Sequence, residues 1–161
     1  MINLDNLKNQ LSYDEKTGIF KWKVSKKGLR IGDVAGSKRQ NGYIAIRIEN
    51  QLIYAHRLAW FYIYGTWPLG EVDHIDCNRI NNSKSNLRDV KPKINKQNLR
   101  LPKANNACGF LGVHLDKRSN KYVSQLQVDG KQNWLGLFNT PEEAHQAYLT
   151  KKRQLHEGCT I

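Results

Sequence analysis

The stretch Val72–Leu99, VDHIDCNRINNSKSNLRDVKPKINKQNL, opens on a carboxylate beside a histidine. It then runs through amides at Asn78, Asn81, Asn82, Asn86, Asn95 and Asn98, interleaved with lysines and arginines. These residue types suit hydrolysis of a phosphodiester. That reaction needs a water to lose a proton, charge to be neutralised on the phosphoryl oxygens, and the departing oxygen to be stabilised. An imidazole does the first near neutral pH. A hard divalent cation held by oxygen donors does the other two. His74 is the candidate base, through Nδ1 or Nε2, Asp73 the charged oxygen donor, and an asparagine carbonyl a neutral one. The protein carries a formal net charge of +12, from 26 Lys and Arg against 14 Asp and Glu, and the excess is spread along the whole chain. A long polyanion touched over most of its length accounts for such a bias; a basic protein with no such partner is the plainer alternative.

Chemistry at adjacent positions constrains the backbone. Side chains alternate across a strand, so Asp73 and His74 serve one site only if the strand ends or distorts there, as HIDCNRINN permits. Leu87–Val90 suits a returning strand, and Pro92 the first turn of a helix on which Asn95 and Asn98 share a face. A ββα unit of this kind brings Asn95 over the strand carrying Asp73 and His74. Upstream, Leu4, Leu7 and Leu11 recur with helical spacing, GIFKWKVS alternates like a strand, and GYIAIRIENQLIYAH reads as a hairpin turning at ENQ. In YAHRLAWFYIYG the period changes to that of a helix with Ala55, Leu58, Ala59, Tyr62 and Ile63 on one face, closed by Gly65.

Residues 101–108 lack periodicity and contain Pro102, which predicts a linker between a first domain, 1–100 (site core about 70–100), and a second, 109–161. The second domain holds three strand-like runs, FLGVHL, KYVSQLQV and KQNWLGLF, the last two separated by Asp129–Gly130, a hairpin signal. A helix follows, with Thr140 as N-cap, Pro141 at the first position, Glu143 completing a capping box and a stripe of Ala144, Ala147, Tyr148 and Leu155 before Gly158. Cys77, Cys108 and Cys159 form no C-x-x-C pair, so neither a thiolate zinc site nor a disulfide scaffold is expected, which fits a reducing cytoplasm. No signal-peptide pattern and no membrane-length apolar run occurs, so no membrane partner is expected.

The pattern Asp73-His74, Asn86, Asn95 resembles the HNH, or ββα-metal, endonucleases. The flanks YDEKTGIFKW, GYIAIRI, AHRLAWFYIYG, VDHIDCNRINNSKSNLR and KINKQN resemble the phage and intron homing branch, over about Leu11 to Arg100. The resemblance implies His74 as general base, Asp73 and Asn95 as ligands of one divalent ion (Mg²⁺, with Mn²⁺ as the substitute), and Asn86 as the residue that holds the histidine loop. Asp76 is expected to cap the loop rather than bind metal. Asn81, Asn82 and Asn98 are expected in turns and helix packing, and His56 as a structural histidine bonded to a backbone carbonyl. Arg57 suits a phosphate contact or a solvated surface equally.

The tail is similar to AP2/ERF DNA-binding domains through GV at Gly112–Val113, KYVSQL, WLGLF and TPEEAHQAY. That resemblance implies a three-stranded sheet laid in the major groove. Its outward positions here would be His114, Asp116, Gln125, Gln127, Gln132 and Trp134, with Arg118 and Lys121 on phosphates. Plant members carry arginines at several positions where this chain has Leu111, His114, Asp116 and Gln127, so their base preference does not transfer. The expected architecture is therefore α+β: an HNH nuclease domain with flanking β-hairpins, plus a small three-stranded antiparallel sheet packed on one helix. The expected function is site-specific, metal-dependent cleavage of double-stranded DNA by a homing or phage-type enzyme. It would act as a monomer in the cytoplasm of a bacterial or phage-infected cell, without a small-molecule cofactor. The alternative is a sequence-specific DNA-binding regulator with an inactive nuclease half.

Overall fold

The computed structural model describes residues 2–25, 28–102, 104 and 106–161. Among the described residues the chain is mixed α/β, with four helices and four small antiparallel sheets. It forms two compact units, Met1–Pro92 and Lys93–Ile161. Among the described residues no helix is long and apolar enough to cross a membrane.

In the first unit, helix α1 (Leu4–Gln10) is capped by the Asn3 side chain and runs into a hairpin of β1 (Leu11–Tyr13) and β2 (Phe20–Trp22). Phe20 and Trp22 are buried and Lys21 between them is exposed, as period-two alternation dictates. Strands β3 (Ser37–Lys38), β4 (Ile44–Ile48) and β5 (Gln51–Tyr54) form a second sheet, in that order. Glu49 and Asn50 both have positive φ, 47° and 61°, which makes the β4–β5 connection a two-residue turn of the mirror-image kind that matches strand twist. Helix α2 (Ala55–Tyr64) buries Ala55, His56, Leu58, Ala59 and Phe61. Phe61 joins the core in place of the expected Tyr62 and Ile63, which are only half-buried. Gly65 ends the helix at φ 72°, and its N–H donates to Phe61 O. Leu7, Leu11, Phe20, Ile46, Leu58, Val72 and Leu87 meet in one apolar core, so α1, α2 and every sheet of the unit are tied to the strands that carry the site. Those strands are β6 (Glu71–His74) and β7 (Leu87–Val90), antiparallel, with a short 3₁₀ turn at Lys84–Asn86 between them.

Helix α3 (Pro92–Gln97) follows β7 after a single residue, and all of it beyond Pro92 belongs to the second unit. The division therefore precedes the 101–108 segment, of which Lys103 and Asn105 lie outside the described residues. The reason is local packing inside the second unit. Gln97 Oε1 accepts from Gly158 N at 2.9 Å, Leu99 O accepts from Lys152 Nζ at 2.5 Å, and Lys93 pairs with Asp129 at 2.5 Å. Asn98 lies past the end of α3, not on it, and its Oδ1 accepts from Thr160 Oγ1.

The rest of that unit is a three-stranded antiparallel sheet, β8 (Val113–Asp116), β9 (Lys121–Val128) and β10 (Lys131–Phe138), with β9 central. Helix α4 (Pro141–Leu155) carries the capping box of Thr140 and Glu143. Its buried face is Ala144, Tyr148 and Lys152, whereas Leu155 is exposed. Lys152 displaces Leu155 from the stripe because its ammonium finds Leu99 O and stands over the Tyr148 ring, 5.7 Å from the centroid.

Candidate active site

The loop Ile75–Asn86 joins β6 to β7 and is built from side-chain hydrogen bonds rather than apolar contacts. Asn86 is 7 % exposed and its amide spans the loop: Oδ1 accepts from Asp76 N at 2.9 Å, and Nδ2 donates to Asp76 Oδ1 at 2.8 Å and Asn81 O at 2.7 Å. Its backbone carbonyl also accepts from Ile75 N at 2.9 Å. Asp76 receives Asn78 N on Oδ1 and Asn81 Nδ2 on Oδ2, so its carboxylate is consumed by the turn. Burial pushes the Asp76 carboxyl up, but bonds from Asn81, Asn78 N and Asn86 outweigh it and hold the group below the usual carboxylate range. The turn between β1 and β2 props the loop from outside. Tyr13 OH donates to Asn82 O at 2.7 Å, Lys84 N to Glu15 O at 2.9 Å, and Lys84 Nζ pairs with Glu15 at 2.8 Å. Gly18 is required there twice over, by its φ of 72° and because a Cβ would stand 2.2 Å from the Asn82 carbonyl carbon.

His74 is the last residue of β6 and only 4 % exposed. Its Nε2 lies 3.0 Å from Asn82 Oδ1. An amide oxygen can only accept, so Nε2 bears the proton and the neutral ring carries its lone pair on Nδ1. Burial pushes the His74 pKa below the ordinary histidine value; the Asn82 bond and the Asp76 and Asp73 carboxylates oppose this in part, and Arg79 adds to it. The ring is thus neutral at pH 7, the state a general base needs. Around it stand His56, with centroids 5.2 Å apart and edge-on, and Tyr43 at 5.8 Å. His56 is 7 % exposed, and its Nδ1 is buried without a hydrogen-bond partner, so the expected bond to a backbone carbonyl is not made there. Burial first, then His74 and Arg57, bring its pKa down to about 3.

Asp73 precedes His74 on the same strand and is 7 % exposed. Arg88 lies directly across the β6–β7 ladder from it. Both Arg88 Nε, at 2.9 Å, and Nη2, at 2.7 Å, donate to Asp73 Oδ2. A buried carboxylate fixed this way is a hard oxygen donor of the kind Mg²⁺ or Mn²⁺ takes. Among the described residues no group of three or more His, Cys, Asp or Glu side chains could hold a metal, so any ion here must draw on amide, phosphate or water oxygens as well.

Of the four motif residues, the first unit brings together Asp73, His74 and Asn86. Asn95 belongs to the second unit, half-buried on α3, with its carbonyl accepting from Asn98 N at 3.0 Å. Asn82, Tyr43 and Arg88 escape the motif. Arg88 is the one with a visible signal, since a β6–β7 pairing sets it opposite Asp73.

In the second unit, cross-strand register puts His114, Lys121, Gln125, Gln127, Gln132 and Trp134 on one face of the sheet. Val113, Ser124 and Leu126 are buried on the opposite face, beneath α4. Trp134 is 66 % exposed, and Arg118 is exposed in the β8–β9 turn with its N–H on Asp116.

The HNH endonuclease family matches residues 53–97, which take in α2, the β6–β7 hairpin and α3. The chain is 32 % identical over 102 residues to Protein 3.8 of Escherichia phage T7, covering 63 % of this chain and 83 % of that protein. The chain carries an HNH endonuclease domain and belongs to the family of that phage protein. No solved structure matches it. Asp73, His74 and Asn86 all lie within the HNH match, as do Arg88 and Asn82, while the three-stranded sheet and α4 lie outside it.

Proposed function

We propose that the protein is a metal-dependent, site-specific DNA endonuclease of the phage or homing type. The observation that carries this reading is His74: at the end of a strand, next to a buried carboxylate, and held through Nε2 by Asn82, with burial pushing its pKa below the ordinary histidine value. His74 Nδ1 takes a proton from water, and the water oxygen bonds to phosphorus as the phosphorus–3′ oxygen bond breaks. The ends are a 5′-phosphate and a 3′-hydroxyl, the latter completed by a proton from solvent. Asp73 and Asn95 are the proposed ligands, on the strength of the motif, for a divalent ion, Mg²⁺ or Mn²⁺. Such an ion, when bound, supplies positive charge to the phosphoryl and departing oxygens. Asn86 keeps the histidine loop in register with β7, and Asn82 fixes the tautomer. One such site cuts one strand, so a monomer nicks.

The second unit is proposed as the reader, an AP2-like sheet whose His114, Gln125, Gln127, Gln132 and Trp134 face the bases while Arg118 and Lys121 take phosphates. Glutamines favour adenine edges over guanine. Tethering such a reader to a weakly gripping nuclease raises the local concentration of the chosen site.

The Arg88 guanidinium on Asp73 Oδ2 favours a second reading, a DNA-binding regulator whose nuclease half is silent, because it already neutralises the carboxylate. Nicking of supercoiled plasmid separates the two. Wild type with Mg²⁺ or Mn²⁺ should nick, and His74→Ala or chelation should abolish it. Tight DNA binding with no nicking at high protein and metal establishes the regulator instead. Cleavage mapping on a random library then tests the reader: Gln127→Ala and Trp134→Ala should relax the site preference without slowing cutting of bulk DNA.

A further inference from the structure

Arg79 sits in the loop after β6 and takes no part in the hydrogen-bond lattice that shapes that loop. It is gripped instead by the turn between β3 and β4. Its Nη1 donates to Asn41 O at 2.7 Å, and its guanidinium lies over the Tyr43 ring, 5.0 Å from the centroid. Its stem passes Gly42, whose backbone, at φ 86°, would bring a Cβ to 3.5 Å from Arg79 Cδ. The turn is itself pinned: Asn41 Nδ2 donates to Tyr54 OH at 2.8 Å, and Gly42 N to Arg39 O at 2.8 Å. An exposed arginine fixed at its stem, one N–H and one ring face has already lost the freedom that usually makes surface arginines poor anchors. Its other N–H groups have no partner among the described residues, and no carboxylate there pairs with it. The same Tyr43 ring that Arg79 covers stands 5.8 Å from His74, so the cation and the proposed base flank one aromatic wall.

We propose that Arg79 is a substrate-contacting residue that grips a backbone phosphate of duplex DNA beside His74, with the guanidinium fork pre-set by Asn41, Tyr43 and Gly42. The proposal rests on the nuclease reading for its consequence but not for the contact. A guanidinium matches two phosphoryl oxygens at once, and holding it rigid beside the base places the phosphorus where the deprotonated water can reach it in line. Lysine cannot substitute, because one ammonium cannot keep Asn41 O and span two oxygens.

Two measurements on the full chain test this. In the first, nitrogen–proton correlation spectra of the arginine Nε–H groups are followed as a short duplex is added in EDTA, with the Arg79 signal assigned by its loss in Arg79→Lys. The Arg79 signal should move and saturate with duplex binding, in wild type and in His74→Ala alike. In the second, single-turnover cleavage at saturating DNA with Mg²⁺ or Mn²⁺ should slow on the order of 10²-fold in Arg79→Ala, a loss that saturation keeps separate from any weakening of duplex affinity. An Arg79 signal that stays put while the duplex saturates, or an Arg79→Ala rate within about threefold of wild type, overturns the proposal. A moving signal in a protein that never cuts leaves the contact standing and sinks the nuclease reading. Normal cutting with an unmoved signal does the reverse.

Discussion

His56 should make this fold sensitive to mild acid, well before its carboxylates protonate. Its pKa is about 3 in the folded chain against an ordinary 6.5, chiefly through burial. A depressed histidine pKa means the unfolded state binds the proton more readily, so stability is full above the unfolded pKa. It falls as pH drops toward the folded pKa and levels off below it. Between about pH 7.5 and about pH 5 this one ring withdraws about 2 kcal/mol, from the ratio of the two binding polynomials. His56→Phe removes the titration while keeping a ring among Tyr43, Tyr54 and His74, at 5.0, 5.5 and 5.2 Å. It also deletes the buried, unpartnered Nδ1. Urea denaturation of both proteins at the two pH values, followed by tryptophan fluorescence, gives the test, and the first unit holds Trp22, Trp60 and Trp67. Wild type should lose about 2 kcal/mol more than His56→Phe on acidification. His74, also depressed, titrates in both and cancels to first order on subtraction, and the depressed carboxylates of Asp14 and Asp76 titrate below the window. Parallel curves, with a difference under about 0.5 kcal/mol, would refute the claim that burial holds His56 neutral.

Asn86→Ala should destabilise the first unit by roughly 3 kcal/mol, from three side-chain bonds at about 1 kcal/mol each, and should slow nicking beyond what the loss of folded protein explains. Urea titration and nicking rates at matched folded fraction check both parts. Gly112→Ala, at φ 76° with Tyr148 Cδ2 2.0 Å from the new Cβ, should cost roughly 3 kcal/mol, whereas Gly109→Ala, at φ 71° in open space, should cost only about 1 kcal/mol. Thermal melts of the pair decide it, and equal losses would mean that backbone conformation rather than the tyrosine sets the cost.

Elements whose causes are local were legible. The capping box at Thr140 and Glu143, the left-handed stop at Gly65, the Asp129–Gly130 turn and the buried–exposed–buried run of Phe20, Lys21 and Trp22 each follow from neighbouring residues alone. Elements set by distant partners were not. Ser37–Lys38 carries no alternation, and it is a strand only because Ile44 and Ala45 offer an edge to it. Leu155 fits the helical stripe by spacing, yet Lys152 is buried because Leu99 O, from far earlier in the chain, receives its ammonium. The division of the chain follows the same rule: residues 93–100 read as part of the first domain by motif, and their packing partners are Asp129, Lys152, Gly158 and Thr160.

The site divides along the same line. Its chemistry is written in residue types at fixed spacing, and its geometry in which atoms the loop leaves over. Asp73 and His74 are successive ladder residues of β6, paired with Arg88 and Leu87, and both are buried. What orients the imidazole is then decided within Ile75–Asn86. Asp76 and Asn86 consume each other and Asn81, which leaves the neighbouring Asn82 amide oxygen for Nε2. Nothing in the spacing separates Asn81 from Asn82, because both are turn asparagines by type, and only the closed loop gives them different work. The two are therefore informative side by side: an Asn82→Asp protein places a carboxylate on Nε2, should raise the His74 pKa and move the acid limb of nicking to higher pH, while Asn81→Asp sets a carboxylate against Asp76 and should act chiefly on stability, moving the limb less. A pH–rate profile unmoved by the first change would show that His74 is oriented by something other than this amide.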